Sequence, residues 1–385
     1  MKIAFHLAIK NLLKAGLRTW LNTIVLAFTF VLIIFYNGFI NGWYNQAEEE
    51  AIAWELGQGI FQNEKFDPQN PFSFQDGHGV IPPNPQQHFI PVLVRQATLY
   101  PDGRTMPVVV KGIETSNNPL KLPTKYLSQS NAEIPAIIGK RFASSANLRK
   151  GDQVLLRWRD KNGTFDAAEI TVEGVFNTNV TSVDNGQIWL PIDKLQSMTG
   201  LSNEASYLIT QSGFQPIESK RWVFKNLDDL LSDLKAAVAM ERGGSIIIYL
   251  VLLGIALLAV FDTQVLSIFR RQKEIGTYIS LGMTRKQVAG IFTVEGSMYS
   301  LFAMIGGGLL GLPLFIYTAK KGIGLFDGVD EIGIAIASRI FPVFSIYLIV
   351  GTIILLLTTT TLVSYLPARK IAKMNPVDAL KGKML

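Results

Sequence analysis

The sequence predicts an α-helical membrane protein with four transmembrane helices and a large α+β extracytoplasmic domain inserted between the first and second. Three observations carry this. Of 385 residues only 17% are charged against 48% hydrophobic, whereas soluble domains carry about 25% charge. The deficit is concentrated in four long runs, each exceeding the roughly 20 residues a helix needs to cross a bilayer. Lys and Arg then gather in alternate connecting segments, which fixes an orientation. An ordinary soluble enzyme is excluded, and so is a fully disordered chain. Cysteine is absent, which removes disulfides, thiol catalysis, Cys-ligated zinc and iron–sulfur clusters.

Residues 1–18 form a cytoplasmic segment with Lys2, Lys10, Lys14 and Arg18 and no acid. Ile3, Leu7 and Lys14 are spaced around an amphipathic helix suited to a membrane surface. The first span, 19–47, holds no charge and runs into Trp43, Tyr44 and Asn45, residues fit for an interface. It is longer than the ~15-residue apolar core of a signal peptide, so it reads as an uncleaved anchor. Its Gly38-x-x-x-Gly42 suits close helix packing. Residues 48–242 form the domain outside the membrane. The second span, 243–269, carries one acid, Asp262. That residue lies about 12 Å along a helix from Arg270. Snorkelling or pairing with a loop cation is a simpler role for it than proton coupling.

A loop over 270–295 follows, with Arg270, Arg271, Lys273, Arg285 and Lys286. The third span, 296–319, contains Gly306-Gly307-Gly308-Leu309-Leu310-Gly311. It lacks the Gly-Lys-[Ser/Thr] of a phosphate-binding loop, so Gly307 and Gly311 read as helix-packing positions. Residues 320–339 make a short outer loop with balanced charge. The fourth span is 340–368, and the tail, 369–385, has five more basic residues. Both termini are thus expected in the cytoplasm. The net charge of +6 sits in these cytoplasmic segments and signals topology rather than nucleic-acid binding.

The domain's edges look helical. Glu48 to Leu56 continues the first span and Leu227 to Arg242 leads into the second, predicting a two-helix stalk. Gln58 to Pro91 is rich in Gly, Pro, Asn and Gln and reads mostly as loop. Strands are expected at Val92–Thr98, Pro107–Ile113, Gln153–Arg159, Glu169–Phe176 and Gln187–Ile192. Asn162-Gly163 marks a hairpin, and a short helix follows Ile192. No catalytic set emerges. His78 and His88 share a solvated loop and lack a zinc-ligand spacing, and Asp228-Asp229 suits a helix start.

The loop Arg270-Arg271-Gln272-Lys273-Glu274-Ile275-Gly276 continues to Leu281-Gly282. It is a short amphipathic segment between two spans, with Gly282 allowing a turn before Thr284 restarts a helix. Together with Glu295, it resembles the loop of FtsX-like/MacB-type (type VII) ABC transporter permeases. Pro367 to Leu380 is similar to that family's ending. Ile138-Gly139-Lys140-Arg141, Lys150 to Val154, Val172 to Phe176 and Asp184 to Pro191 resemble its MacB-like periplasmic core domain. The layout is closest to the LolC/LolE lipoprotein-releasing permeases.

The resemblance implies a non-catalytic inner-membrane subunit, multi-pass, with a periplasmic domain, paired with a second permease chain as a homo- or heterodimer. Two ABC ATPase subunits would bind ATP and Mg, so this chain needs no cofactor or metal of its own. Arg270, Arg271, Lys273, Glu274, Ile275, Gly276, Leu281 and Gly282 would form the ATPase-coupling segment, relaying motion along the stalk as mechanotransmission. Glu274 and the basic residues would meet ATPase charges, and Gly276 would allow close backbone approach. Lipoprotein release, with a lipoprotein substrate and a periplasmic acceptor, is the expected role. MacB-like efflux of peptides or antibiotics and FtsX-like regulation of cell-wall hydrolases are alternatives. A membrane receptor with an outer ligand domain is a rival of another class.

Overall fold

The computed structural model describes residues 17–83, 89–116, 118–178, 180–214, 220–324 and 339–371. The N-terminal segment to residue 16, His88, most of the short outer loop and the tail beyond 371 lie outside the described residues. Among the described residues four helices are long and apolar enough to cross a membrane. The chain divides into two compact units.

The first unit contains the apolar helices: Met1–Trp43, Ala237–Ile323 and Ile340–Leu385. Helix α1 covers Leu17–Ala51 and continues through a π-helical turn at Ile52–Leu56. Counting α2 to α6 in the second unit, α7 is Ser232–Arg270, α8 Gln272–Ser280, α9 Arg285–Lys321 and α10 Ile346–Ile371. Polar bonds pair α1 with α7 in antiparallel register. Asn22 donates to the Ala259 carbonyl at 2.9 Å and to the Thr263 hydroxyl. Further along, Asn37 Nδ2 donates to the Tyr249 hydroxyl at 2.7 Å, Tyr36 meets Glu241, and Arg242 reaches Asn41 at 2.8 Å. Between these rungs Leu26, Phe30, Ile34, Leu253, Ala256, Val260, Met298 and Leu356 form the apolar core.

The second unit covers Tyr44–Ala236 and Gly324–Arg339. Its strands are β1 Ile60–Asn63, β2 Gly79–Val80, β3 Phe89–Tyr100, β4 Met106–Ile113, β5 Pro135–Gly139, β6 Gln153–Arg159, β7 Phe165–Phe176, β8 Gln187–Pro191, β9 Glu204–Ala205, β10 Tyr207–Thr210 and β11 Trp222–Lys225. Its helices are α2 Lys125–Ser128, α3 Lys140–Ala146, α4 Thr181–Asp184, α5 Ile192–Thr199 and α6 Leu227–Leu230. The main sheet runs β11-β1-β10-β3-β4-β8-β5-β7-β6, and β6 pairs back onto β3. Six strands therefore close a ring. Strand β3 does this by changing partner along its length, from β10 at Phe89–Val92 to β6 at Ala97–Tyr100. Alternation is strict in β6, where Val154, Leu156 and Trp158 are buried and their neighbours exposed. Such alternation places one face on the core. That core joins them to Leu93, Leu99, Val110, Ile138, Ile170, Leu190 and the helix residues Phe142 and Leu195.

One expectation needs correcting. Ile60–Asn63 lies in the stretch read as loop, yet it forms a fully buried strand between β10 and β11. The prolines of that stretch all follow residue 67, so nothing denies these four residues a ladder.

Candidate functional site

The connection between α7 and α9 is built from its ends inward. Helix α7 ends at Arg270, and α8 begins one residue later at Gln272. After α8, Gly282 takes a φ of +96°, a left-handed conformation that glycine adopts without steric cost. Thr284 then caps α9. Its hydroxyl accepts from the Gln287 backbone while the Gln287 side chain accepts from the Thr284 N–H at 2.8 Å. This reciprocal pair satisfies two otherwise orphaned donors.

Arg271, at the break between α7 and α8, holds the connection together. Its Nε donates to Glu274 Oε2 at 2.7 Å and its Nη1 to Glu295 Oε2 at 2.8 Å. The guanidinium also lies over the Phe292 ring, 4.9 Å from its centroid. Burial opposes its charge, but Glu295 and Glu274 outweigh burial and hold its pKa above the ordinary value. Glu295 itself is 5% exposed. One arginine thus ties the short helix to the body of the third long one, α9.

The segment named from the sequence divides into two faces. Ile275 and Gly276 are buried, with Ile275 packed among Ile268, Val288, Phe292 and Ala368. Gly276 therefore lies against this chain's own interior. Arg270, Lys273, Glu274, Leu281 and Gly282 are exposed, and Leu281 is 78% exposed. Glu274, expected to meet an ATPase charge, is engaged by Arg271. The sequence pointed to Glu295 as a family position but gave no sign that Arg271 was its partner.

The four glycines assigned to packing lie at close approaches. A Cβ at Gly38 would strike the Phe344 ring, and one at Gly42 the Phe341 carbonyl. The Val343 N–H bonds the Gly38 carbonyl at 2.9 Å. Gly307 and Gly311 face Ala27, Phe30 and Val31 of α1, whereas Gly306 and Gly308 face open space. Asp262 is exposed on α7. Among the described residues no group of three or more His, Cys, Asp or Glu could hold a metal, and His78 bonds Glu204.

Apolar helices long enough to cross a membrane, joined by a strapped amphipathic link and with a large sheet domain between the first two, fit the layout of a membrane permease. Residues 246–376 match the FtsX-like permease C-terminal domain, and the chain is similar to ABC transporter permeases of the FtsX and MacB type. It is 26% identical over 276 residues to the ABC transporter permease MJ1507 of Methanocaldococcus jannaschii, covering 66% of this chain and 64% of that one. It is 25% identical over 296 residues to the macrolide export ATP-binding/permease protein MacB 2 of Aeromonas hydrophila, covering 70% of this chain. The match spans only 41% of MacB 2. A solved extracellular domain of the ABC-type transporter YknZ from Gram-positive bacteria aligns with 40% of this chain and 83% of its own, at 15% identity. Its TM-score of 0.23 carries no argument about the arrangement.

Proposed function

We infer that this chain is the transmembrane subunit of a type VII ABC transporter in a bacterial inner membrane. A second permease chain and two separate ATPase subunits complete the complex, and the ATPases bind ATP and Mg. The observation that supports this reading is Arg271 bridging Glu274 and Glu295. A short helix held in this way moves with the long helices on either side rather than flexing between them. Its outward surface is basic, with Arg270, Lys273, Arg285 and Lys286 exposed, and has an apolar tip at Leu281. That surface fits a groove on an ATPase that is acidic and partly apolar. In this reading nucleotide-driven closure pushes the strapped helix, and α1 and α7 relay the push to a periplasmic MacB-like domain.

Lipoprotein release from the inner membrane fits a permease layout with one large domain between the first two spans. Export of a small compound is the second reading, favoured by relatives named for macrolide and pyoverdine export. Purification of the tagged full chain from native membranes tests the subunit role. An ATP-binding-cassette ATPase co-purifies with the wild type and is lost from Lys273→Glu/Leu281→Asp, while that variant still inserts. Equal recovery from both overturns the coupling assignment. Reconstitution separates the cargoes, since a released acylated protein supports one and an exported soluble compound the other.

A further inference from the structure

Within the sheet domain lies a cavity of about 310 Å³, a size at the lower end of small-molecule sites. Strands β4, β8 and β10 line it with Lys111, Gln187 and Tyr207, and the π-helical turn after α1 contributes Glu55. The opposite side is the 64–77 segment, which supplies Phe66 and Phe74. Those rings stack with centroids 5.5 Å apart, and Phe66 lies equally close to the Tyr207 ring. Arg95, 1% exposed, donates to the Phe74 and Gln75 carbonyls at 2.8 and 2.7 Å. The aromatic cover is therefore pinned in place, and a pre-formed wall reduces the ordering cost of binding.

Two features define the chemistry of an occupant. Lys111 Nζ lies 2.5 Å from Glu55 Oε1, so the one ammonium and the one carboxylate lining the cavity already cancel. A charged guest would bring an unbalanced charge into a desolvated space, which is costly. The Gln187 side-chain oxygen is buried and accepts no hydrogen bond. An acceptor left in that state costs about 1–3 kcal/mol, and a guest carrying a donor recovers that cost. We propose that this cavity binds a small uncharged amphipathic molecule, an aromatic or branched aliphatic body against Phe66 and Phe74 with one hydroxyl or amide donor on Gln187.

The test uses the full-length chain in lipid nanodiscs, with no ATPase present, so its outcome is independent of the subunit role. The probe is 2-naphthol, read by quenching of tryptophan emission and corrected against protein-free nanodiscs. The comparison compounds are 2-methylnaphthalene, which lacks the donor, and 2-naphthoate, which is charged. Saturable binding in the order naphthol, methylnaphthalene, naphthoate is expected. Gln187→Leu should erase a preference of about tenfold for naphthol over methylnaphthalene, the worth of one hydrogen bond to an orphaned group. Leu230→Trp, which fills the cavity from α6, should abolish binding of both. Val109→Phe repeats that arm from the sheet side if the first filling variant loses its thermal transition. Non-saturable quenching, naphthoate binding as tight as naphthol, or binding unchanged in the filled variants overturns the proposal.

Discussion

Arg271 makes two ion pairs of unequal weight. The partner on α8, Glu274, has a half-exposed side chain, and exposed pairs contribute about 0–1 kcal/mol. Glu295 is buried, and removing one member of a buried pair costs about 3–5 kcal/mol because the other charge is stranded. Glu295→Gln should therefore lower stability in SDS-titrated unfolding far more than Glu274→Gln, which should stay within about 1 kcal/mol of wild type. Equal effects would show that the arginine is not divided in this way. The buried group of the sheet domain makes a prediction in pH. Burial, with Glu55 adding to it and Lys111 opposing, pushes the Tyr207 hydroxyl up to about 12. Lys111 is also held above its ordinary value; burial opposes its charge, and Glu55 and Tyr207 outweigh burial. Groups whose folded pKa is raised bind protons more tightly in the folded state, so their stabilisation is complete below the unfolded pKa and disappears as pH rises through the folded one. For Tyr207 that window is pH 10 to about 12. The stability advantage of wild type over Tyr207→Phe should fall across it by on the order of 2–3 kcal/mol, measured by denaturant titration of tryptophan emission. A constant difference would refute the assignment.

Glycines show how far an element can be read before its neighbours are known. The run Gly306–Gly311 is visibly permissive in the sequence, but only the helix packing separates its members. Gly307 and Gly311 meet α1, whereas Gly306 and Gly308 meet nothing within 4 Å. Gly306→Ala should thus be neutral or gain up to about 1 kcal/mol from lower backbone entropy. Gly307→Ala and Gly42→Ala should lose about 1–3 kcal/mol through overpacking, and thermal melting in detergent will rank them. Gly42 should be worst, because its obstacle is the Phe341 backbone. The same contrast explains what the sequence disclosed. The turn at Gly282 and the cap at Thr284 are local chemistry, decided within four residues, and were legible. So was the hairpin at Asn162-Gly163, joining β6 to β7. Strand β1 was not, because its ladder is completed by Tyr207–Ile209 and Trp222–Lys225, about 150 residues away in the chain. The Arg271–Glu295 pair was hidden for the same reason, being a contact between the α7–α8 break and a residue inside α9 rather than a pattern along one helix. The cavity around Lys111 draws its walls from residues as far apart in the chain as Glu55 and Leu230, and no periodicity reports that.

At the scale of the molecule the decisive quantity is which end of the helix bundle faces the cytoplasm. Antiparallel pairing of α1 with α7 puts Asn22 beside Thr263, and α9 meets α10 through Ser297 and Thr361 at 2.9 Å. Ile268, Ile275, Phe292 and Ala368 then cluster at one end, while Gly42 and Phe341 meet at the other. The start of α1, the strapped link and the end of α10 therefore share one end of the bundle. Basic residues crowd that end, with Arg270, Lys273, Arg285, Lys286, Arg369 and Lys370 all exposed, and Lys and Arg excess marks cytoplasmic segments. Because the chain has no cysteine, a single introduced thiol reports its side of the membrane without background. Thr277→Cys, on the exposed face of α8, should resist a membrane-impermeant maleimide in intact spheroplasts and react once the membrane is opened. Thr164→Cys, exposed beside the sheet-domain hairpin, should react in both conditions. Labelling of the first in intact spheroplasts, with protection of the second, would put the strapped helix on the outer side. It would then be out of reach of any cytoplasmic ATPase.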